Sequence, residues 1–334
     1  MALHKMRIAL VTNWDEHCAV AEYARNLTDY CTRVDEEVSF KVVTRPLTYE
    51  AIWERVKDVD VIHFNYCAHA FSQMDPSAWK NFQTIKPVVM TVHESTDWMV
   101  RRLAKTEIAD KFVMHDKFRD GMPAPENVVT IPYGVPEVDI SDVKVERKVG
   151  TFGCAFPWKG LLPLAYACGQ LEIPLDMYLS EPDSDKGQMD WRRLITELEE
   201  VGGQIGIWKD WQMQKEIIRK LASCAVIALP FDPCSPITGI SASVRLALAA
   251  KRPLVLTKFF HFADLFDFDE DTNDIWWVEG NLEKQLQSVM RLFDHGCGLS
   301  ISDHLYNDMK WSVAAQKYVE LYKTVRTKEA VHAG

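Results

Sequence analysis

Short apolar runs alternate with longer amphipathic stretches along the whole chain. RIALVT (7–12), FKVVTR (40–45), VDVIHFN (59–65), PVVMTVH (87–93), KFVMH (111–115) and NVVTIP (127–132) have the length and spacing of strands. Between them, AVAEYARNLTDYCTRV and TYEAIWERVKD carry apolar residues at helical intervals. Strand and helix in alternation is the pattern of βαβ units wound around a parallel sheet. One doubly wound unit is thus expected to end near Pro136.

The next stretch, PEVDISDVKVERK, is charged and poor in large apolar residues, so it is expected to link two domains. A second series follows, with strands expected at VGTFGCA (149–155), LDMYLS (175–180), QIGIW (204–208), CAVIALPF (224–231), PLVLT (253–257) and DIWWVE (274–279). WRRLITELEEVG and QKEIIRKLAS supply helices between them. The expected domains are 1–138 and 148–308, with a final helix at 309–328 that can return to the first.

Composition narrows the class. The chain has 334 residues, of which 47% are hydrophobic and 26% charged, enough to bury two cores. A formal net charge of -10 weighs against a general nucleic-acid binder, although a few amides and one lysine still suffice for a small anion. The first apolar run is too short for a secretion signal, and no stretch has the length of a membrane span. The eight cysteines form no CxxC pair and no metal-ligand spacing. A cytoplasmic protein with reduced thiols is therefore expected.

Ligands of open α/β folds bind at the carboxyl edge of the sheet, so the loops after the strands carry the candidate chemistry. The first loop, TNWDEHCAVAEYARNL, has no GxGxxG; Trp14, Asp15, Glu16 and His17 make it a polar and aromatic surface suited to hydroxylated ligands or simply a solvated turn. His63 and His93 are placed at the ends of the third and fourth strands, and Glu94 follows His93. Such histidines either donate to a sugar hydroxyl or phosphate oxygen or serve as hydrogen-bonded structural residues. Neither has the HExxH spacing of a zinc site.

In the second half, VGTFGCAFPWKGLLPL runs from a strand through Gly150 and Gly153, which permit close backbone approach, to Lys159 and Gly160 at the mouth of a helix. Amides at a helix start together with an ammonium group bind an anion without a metal. After CAVIALPF, the residues Ser235, Thr238, Gly239, Ile240, Ser241, Ala242 and Ser243 lead into another helix, as helix cap, as solvated loop or as a second phosphate-binding element. A literal DxD, Asp183-Ser184-Asp185, lies apart from both and is expected, with Asp190, to be solvated loop.

Together these segments resemble the GT-B glycosyltransferases, nearest to glycosyltransferase family 4, over nearly the whole length. CAVAEYARNL is similar to the family's first loop and helix, VDVIHFN to its third strand, TVHE to its histidine-bearing fourth strand, and NVVTIPYGVPE to the close of its first domain. VGTFGCAFPWKG resembles the phosphate loop, with Lys159 in the lysine position, and LALAAKRPLVLT the helix and strand before the carboxyl end. The chain departs where the family usually has glycine (here Ala19) and arginine (here Cys154). The paired glutamates align with Thr238 and Leu246.

The resemblance implies an α/β fold of two Rossmann-like domains whose parallel sheets face a central cleft. It implies a metal-independent hexosyltransferase acting with retention. Gly153, Lys159, Ser235, Thr238, Gly239, Ile240, Ser241, Ala242 and Ser243 would hold the donor, with His93 and Lys159 catalytic, and Trp14, Asp15, His17, His63 and Glu94 on the acceptor. No cofactor is implied, only a nucleotide-sugar co-substrate, UDP-sugar favoured over GDP-sugar. Glycan, lipid-linked and small-molecule acceptors stay open, as does the oligomeric state. Rival readings are a sugar-nucleotide-binding protein without turnover, a GT-B epimerase or phosphorylase, and a glycosyltransferase acting on modified DNA.

Overall fold

The computed structural model describes residues 5–14, 18–67, 71, 74, 78–93, 96–181, 185–234, 239–267, 274–278, 280–297, 301 and 303–332. The chain divides into two compact units, one of Met1–Gly134, Ile237–Ile240 and Met309–Gly334, the other of Val135–Pro236 and Ser241–Asp308.

In the first unit the elements are β1 (Met6–Val11), α1 (Ala19–Val34), β2 (Val38–Val43), α2 (Tyr49–Arg55), β3 (Val61–Tyr66), α3 (Trp79–Gln83), β4 (Val88–Val92), α4 (Asp97–Ala104), β5 (Lys111–Met114) and β6 (Val128–Thr130). The second contains β7 (Glu146–Cys154), α5 (Leu161–Gln170), β8 (Leu175–Ser180), α6 (Asp185–Glu200), β9 (Ile205–Trp208), α7 (Gln214–Ala222), β10 (Cys224–Leu229), α8 (Ala242–Ala249), β11 (Leu254–Thr257), β12 (Ile275–Val278), α9 (Leu282–Asp294) and α10 (Asp303–Asp308). The last helix, α11 (Trp311–His332), belongs to the first unit.

Each unit is built on one six-stranded sheet, in the order β2-β1-β3-β4-β5-β6 in the first and β12-β11-β10-β7-β8-β9 in the second. Every described pairing is parallel. Strands covered on both faces read as continuous apolar runs, and β10 (CAVIAL) is buried at every position. Helix ends are fixed locally: the Thr48, Thr96 and Asn281 side chains accept backbone N–H groups at the starts of α2, α4 and α9.

Helix α1 buries Ala21, Tyr23, Ala24, Leu27 and Cys31, a stripe at three- and four-residue spacing, and α11 lies along it. Trp311, Ala314, Ala315, Tyr318 and Tyr322 of α11 are fully buried. Lys323 of α11 pairs with Asp35 at 2.6 Å.

Two expectations are corrected here. The end of the charged segment read as a linker is the start of β7: Lys148 pairs with Asp176 at 2.8 Å and with Glu146 at 2.9 Å, and Arg147 with Asp294 at 2.8 Å, so these charges are neutralised within the unit. The DxD segment is not all loop, since Asp185 opens α6 and Asp190 lies within it; Asp183 and Ser184 fall outside the described residues.

Candidate active site

The ends of β7 and β10 and the start of α8 meet around Lys159 in the second unit. After β7 the chain passes Gly153, whose φ of 128° lies where side chains are rarely accommodated, and makes a short 3-10 turn at Pro157–Lys159. Gly160 then starts α5 with φ 67°, and a Cβ there would lie 2.0 Å from the Pro230 carbonyl oxygen. Only glycine lets the lysine loop press so closely on the end of β10.

This geometry turns Lys159 inward. Its side chain is buried at 8% exposure, with Nζ 3.8 Å from the centroid of the Phe231 ring and 4.6 Å from that of Trp158. Ring faces attract the ammonium, but they do not replace water or a counter-charge. The one hydrogen bond to Lys159 Nζ among the described residues goes to Ser243 Oγ at 3.4 Å, and no carboxylate among them pairs with it. Burial pushes its pKa down to about 7.

Ser243 lies in the first turn of α8. The side chain of Ser241, at the N-cap, makes no capping hydrogen bond, while its N–H donates to the His261 carbonyl at 2.9 Å. A helix start of this kind, with an uncompensated ammonium beside it, is complementary to a phosphate or diphosphate. Trp158 stacks on His261, ring centroids 6.0 Å apart, and Arg245 of α8 pairs in the interior with Asp264.

Of the donor candidates, Gly153, Lys159 and Ser243 come together: a Cβ on Gly153 would lie 3.4 Å from Ser243 Oγ and 3.9 Å from Lys159 Nζ. Ser241 and Ala242 begin α8, and Gly239 and Ile240 precede them, Gly239 with φ 95°. Ser235 and Thr238 lie outside the described residues. Gly150 has a different role from the one expected, because a Cβ on it would meet Cys224 Sγ at 2.7 Å; it makes room for a neighbouring strand. Cys154 accepts a contact from Ser180 Oγ at 3.4 Å.

In the first unit a polar cluster gathers at the carboxyl edge of the sheet. Asn65, in β3, donates from Nδ2 to Thr12 Oγ1 and to the Val20 carbonyl, both at 2.9 Å. His93, just after β4, meets Asn65 Oδ1 through Nε2 at 2.5 Å and His115 Nε2 through Nδ1 at 3.4 Å. His115 follows β5 and meets the Ile131 carbonyl through Nδ1 at 3.1 Å. Tyr23 walls both rings, at 4.6 Å from His93 and 5.1 Å from His115. Burial first, then His115 and His63, hold the His93 pKa well below the usual histidine range.

His63 is not at a strand end and does not face an acceptor. It is the third residue of β3, fully buried, with Nδ1 2.6 Å from Tyr322 Oη and Nε2 2.8 Å from Thr91 Oγ1. Thr91 continues to Tyr318 at 2.8 Å and Tyr318 to Tyr23 at 2.6 Å, so the histidine belongs to a hydroxyl chain that ties α11 to β3, β4 and α1. Trp14 is half-buried, and its carbonyl accepts from Arg25; Asp15, Glu16, His17 and Glu94 lie outside the described residues. Sequence reasoning overlooked Asn65, His115 and the aromatic wall of Trp158, Phe231 and His261. His115 closes the KFVMH run, the same strand-end position that had singled out His93.

No family model matches the sequence, and no curated protein matches it. Solved structures do. A glycosyltransferase from Rickettsia africae is similar with a TM-score of 0.69 at 15% identity, over 96% of this chain and 98% of that one. AviGT4, a glycosyltransferase involved in avilamycin A biosynthesis, gives 0.66 at 14% identity, over 96% of this chain and 98% of its own. HepE of Anabaena, solved in complex with UDP and glucose, gives 0.62 at 14% identity over 98% and 99%. The two six-stranded parallel sheets with their helices are those of the GT-B fold.

Proposed function

We propose that this protein is a glycosyltransferase that binds a nucleoside-diphosphate sugar at the Lys159 pocket of the second unit and transfers the sugar to an acceptor held by the first. The observation that carries this reading is the buried ammonium of Lys159 beside the start of α8, paired with no carboxylate among the described residues. An enclosed cation of that kind is costly unless a ligand supplies the negative charge.

As the glycosidic bond to the leaving diphosphate breaks, charge accumulates on the phosphate oxygens. Lys159 and the amides at Ala242 and Ser243 are preorganised to receive it, which lowers the barrier without reorganisation at the moment of reaction. The anomeric carbon is left oxocarbenium-like, and the acceptor hydroxyl attacks it, passing its proton to an oxygen of the departing diphosphate. Retention of configuration, a hexosyl group and a preference for UDP-sugars are the finer form of the proposal. A cation already in place also removes the need for a divalent metal, so full turnover is expected in EDTA; loss of turnover restored by manganese would overturn that point.

The test is a panel of UDP-, GDP- and ADP-sugars, read first by thermal shift, because a ligand that binds only the folded state raises apparent stability. Release of free sugar or of nucleoside diphosphate is then measured. Stabilisation with turnover supports the transferase, stabilisation without turnover supports a sugar-nucleotide-binding protein, and no stabilisation by any member removes the donor assignment.

A further inference from the structure

Three contacts run in a row through His93 and His115, and each end of the row is an atom that can only accept. The Val20 carbonyl takes one hydrogen of the Asn65 amide and Thr12 is its other partner, so Asn65 turns its oxygen toward His93. At the far end is the Ile131 carbonyl. Asn65 Oδ1 therefore requires a proton on His93 Nε2, and the Ile131 carbonyl requires one on His115 Nδ1. A third proton is needed for the inner contact between His93 Nδ1 and His115 Nε2 to be a hydrogen bond. Two neutral imidazoles carry two.

The lengths show which contact goes without. The ends measure 2.5 and 3.1 Å and the inner contact 3.4 Å, so the two lone pairs face one another in the neutral pair. We propose that Asn65 is a positioning residue that holds His93 as the Nε2–H tautomer, leaving Nδ1 as an acceptor either for a sugar hydroxyl or for one proton shared with His115. This deepens the glycosyltransferase reading and rests on it only for the class of ligand; the pair itself can be tested with no ligand present.

The polarity matters for recognition. A histidine fixed as Nε2–H with its outer nitrogen engaged has only its Nδ1 lone pair to offer, so it selects a group that donates. Ionisable groups beside the pair include, among the described residues, Tyr23 on α1, Tyr133 after β6 and His63 on β3, and burial is the largest influence opposing a further proton on His93.

The test is nitrogen NMR of the protein labelled with 15N-histidine, in which protonated and unprotonated ring nitrogens are distinguished directly. In the wild-type protein at neutral pH, His93 is expected to show a protonated Nε2 and an unprotonated Nδ1. Asn65→Leu removes the acceptor and should move the proton to Nδ1, where it can reach His115. His115→Phe should keep the Nε2–H tautomer, because the Asn65 acceptor is untouched. A wild-type His93 protonated at Nδ1, an unchanged tautomer in a folded Asn65→Leu protein, or a proton moved to Nδ1 in His115→Phe would each overturn the proposal. Should Asn65→Leu fail to fold, the wild-type and His115→Phe tautomers still decide it.

Discussion

Lys159 Nζ and Ser243 Oγ lie 3.4 Å apart although 84 residues separate them in the chain. The pairing of β7 with β10 brings them together, since Lys159 follows the first strand and Ser243 belongs to the helix that follows the second. A lone hydroxyl only partly solvates an ammonium, and under the proposed function the donor diphosphate meets the rest of its need.

Lys159→Ala should therefore weaken binding of a nucleoside-diphosphate sugar by about 10- to 100-fold, the value of a charge-assisted hydrogen bond of roughly 1.5–3 kcal/mol. If the ammonium also meets charge that grows in the transition state, turnover should fall further than affinity. Calorimetry and steady-state kinetics on one preparation check both. Unaltered affinity and turnover in a folded variant would take Lys159 out of the site.

The same residue should make stability depend on pH. Its pKa is about 7 in the folded protein against an ordinary lysine value of 10.5, so between these values the unfolded chain binds more protons and stability rises with pH. Lys159→Met, which removes the buried charge but keeps the bulk, should melt higher than wild type. The gain should be full below about pH 7 and should disappear as pH approaches about 10.5. Melting temperatures across that range would show it, and a constant difference would contradict the assignment.

Donor affinity should follow the opposite slope. Diphosphate binding favours the protonated lysine, and in the free protein that form is depleted above about pH 7. Affinity should fall with rising pH, approaching about tenfold per unit, and this slope should be absent in Lys159→Arg, whose guanidinium stays charged. Titrations from about pH 7 to about pH 8.5 suffice to see the difference.

Gly160→Ala should be among the more damaging single changes. It places a side chain at φ 67° and brings a Cβ to 2.0 Å from the Pro230 oxygen. Backbone strain of this type costs about 1–3 kcal/mol before the clash is counted, and relief requires Lys159 to move. Urea unfolding and donor affinity should both deteriorate; a wild-type donor affinity would separate the glycine from the site.

Tyr318→Phe should lower stability by about 1–3 kcal/mol, because it leaves the buried hydroxyls of Tyr23 and Thr91 short of a partner. Donor binding to the second unit should be unchanged. Equilibrium denaturation with a parallel donor titration distinguishes this from a general loss of fold.

The strand runs were legible in sequence because parallel strands buried on both faces are apolar throughout, and β10 shows this at every residue. The start of β7 was not, because Glu146, Arg147 and Lys148 look solvated until Asp176 and Asp294 arrive from distant segments. Lys159 and the α8 start could be found from glycine, lysine and serine in local order. The wall around them could not: Trp158, Phe231 and His261 follow three different strands, and only the order β11-β10-β7 makes them neighbours. His63 misled for the converse reason. A histidine in an apolar run does not reveal that Tyr322, 259 residues onward, will occupy its nitrogen.

The return of α11 to α1 fixes an order of events during synthesis. Strands β1 to β6 emerge from the ribosome first, yet the side chains that complete their core, Trp311, Tyr318 and Tyr322, are made only after the entire second unit. The unit translated first is thus the last to be finished. Until then Tyr23 and His63 have no tyrosine hydroxyl from α11, and the nascent chain carries an open apolar seam along α1 while the later-made sheet is already free to fold.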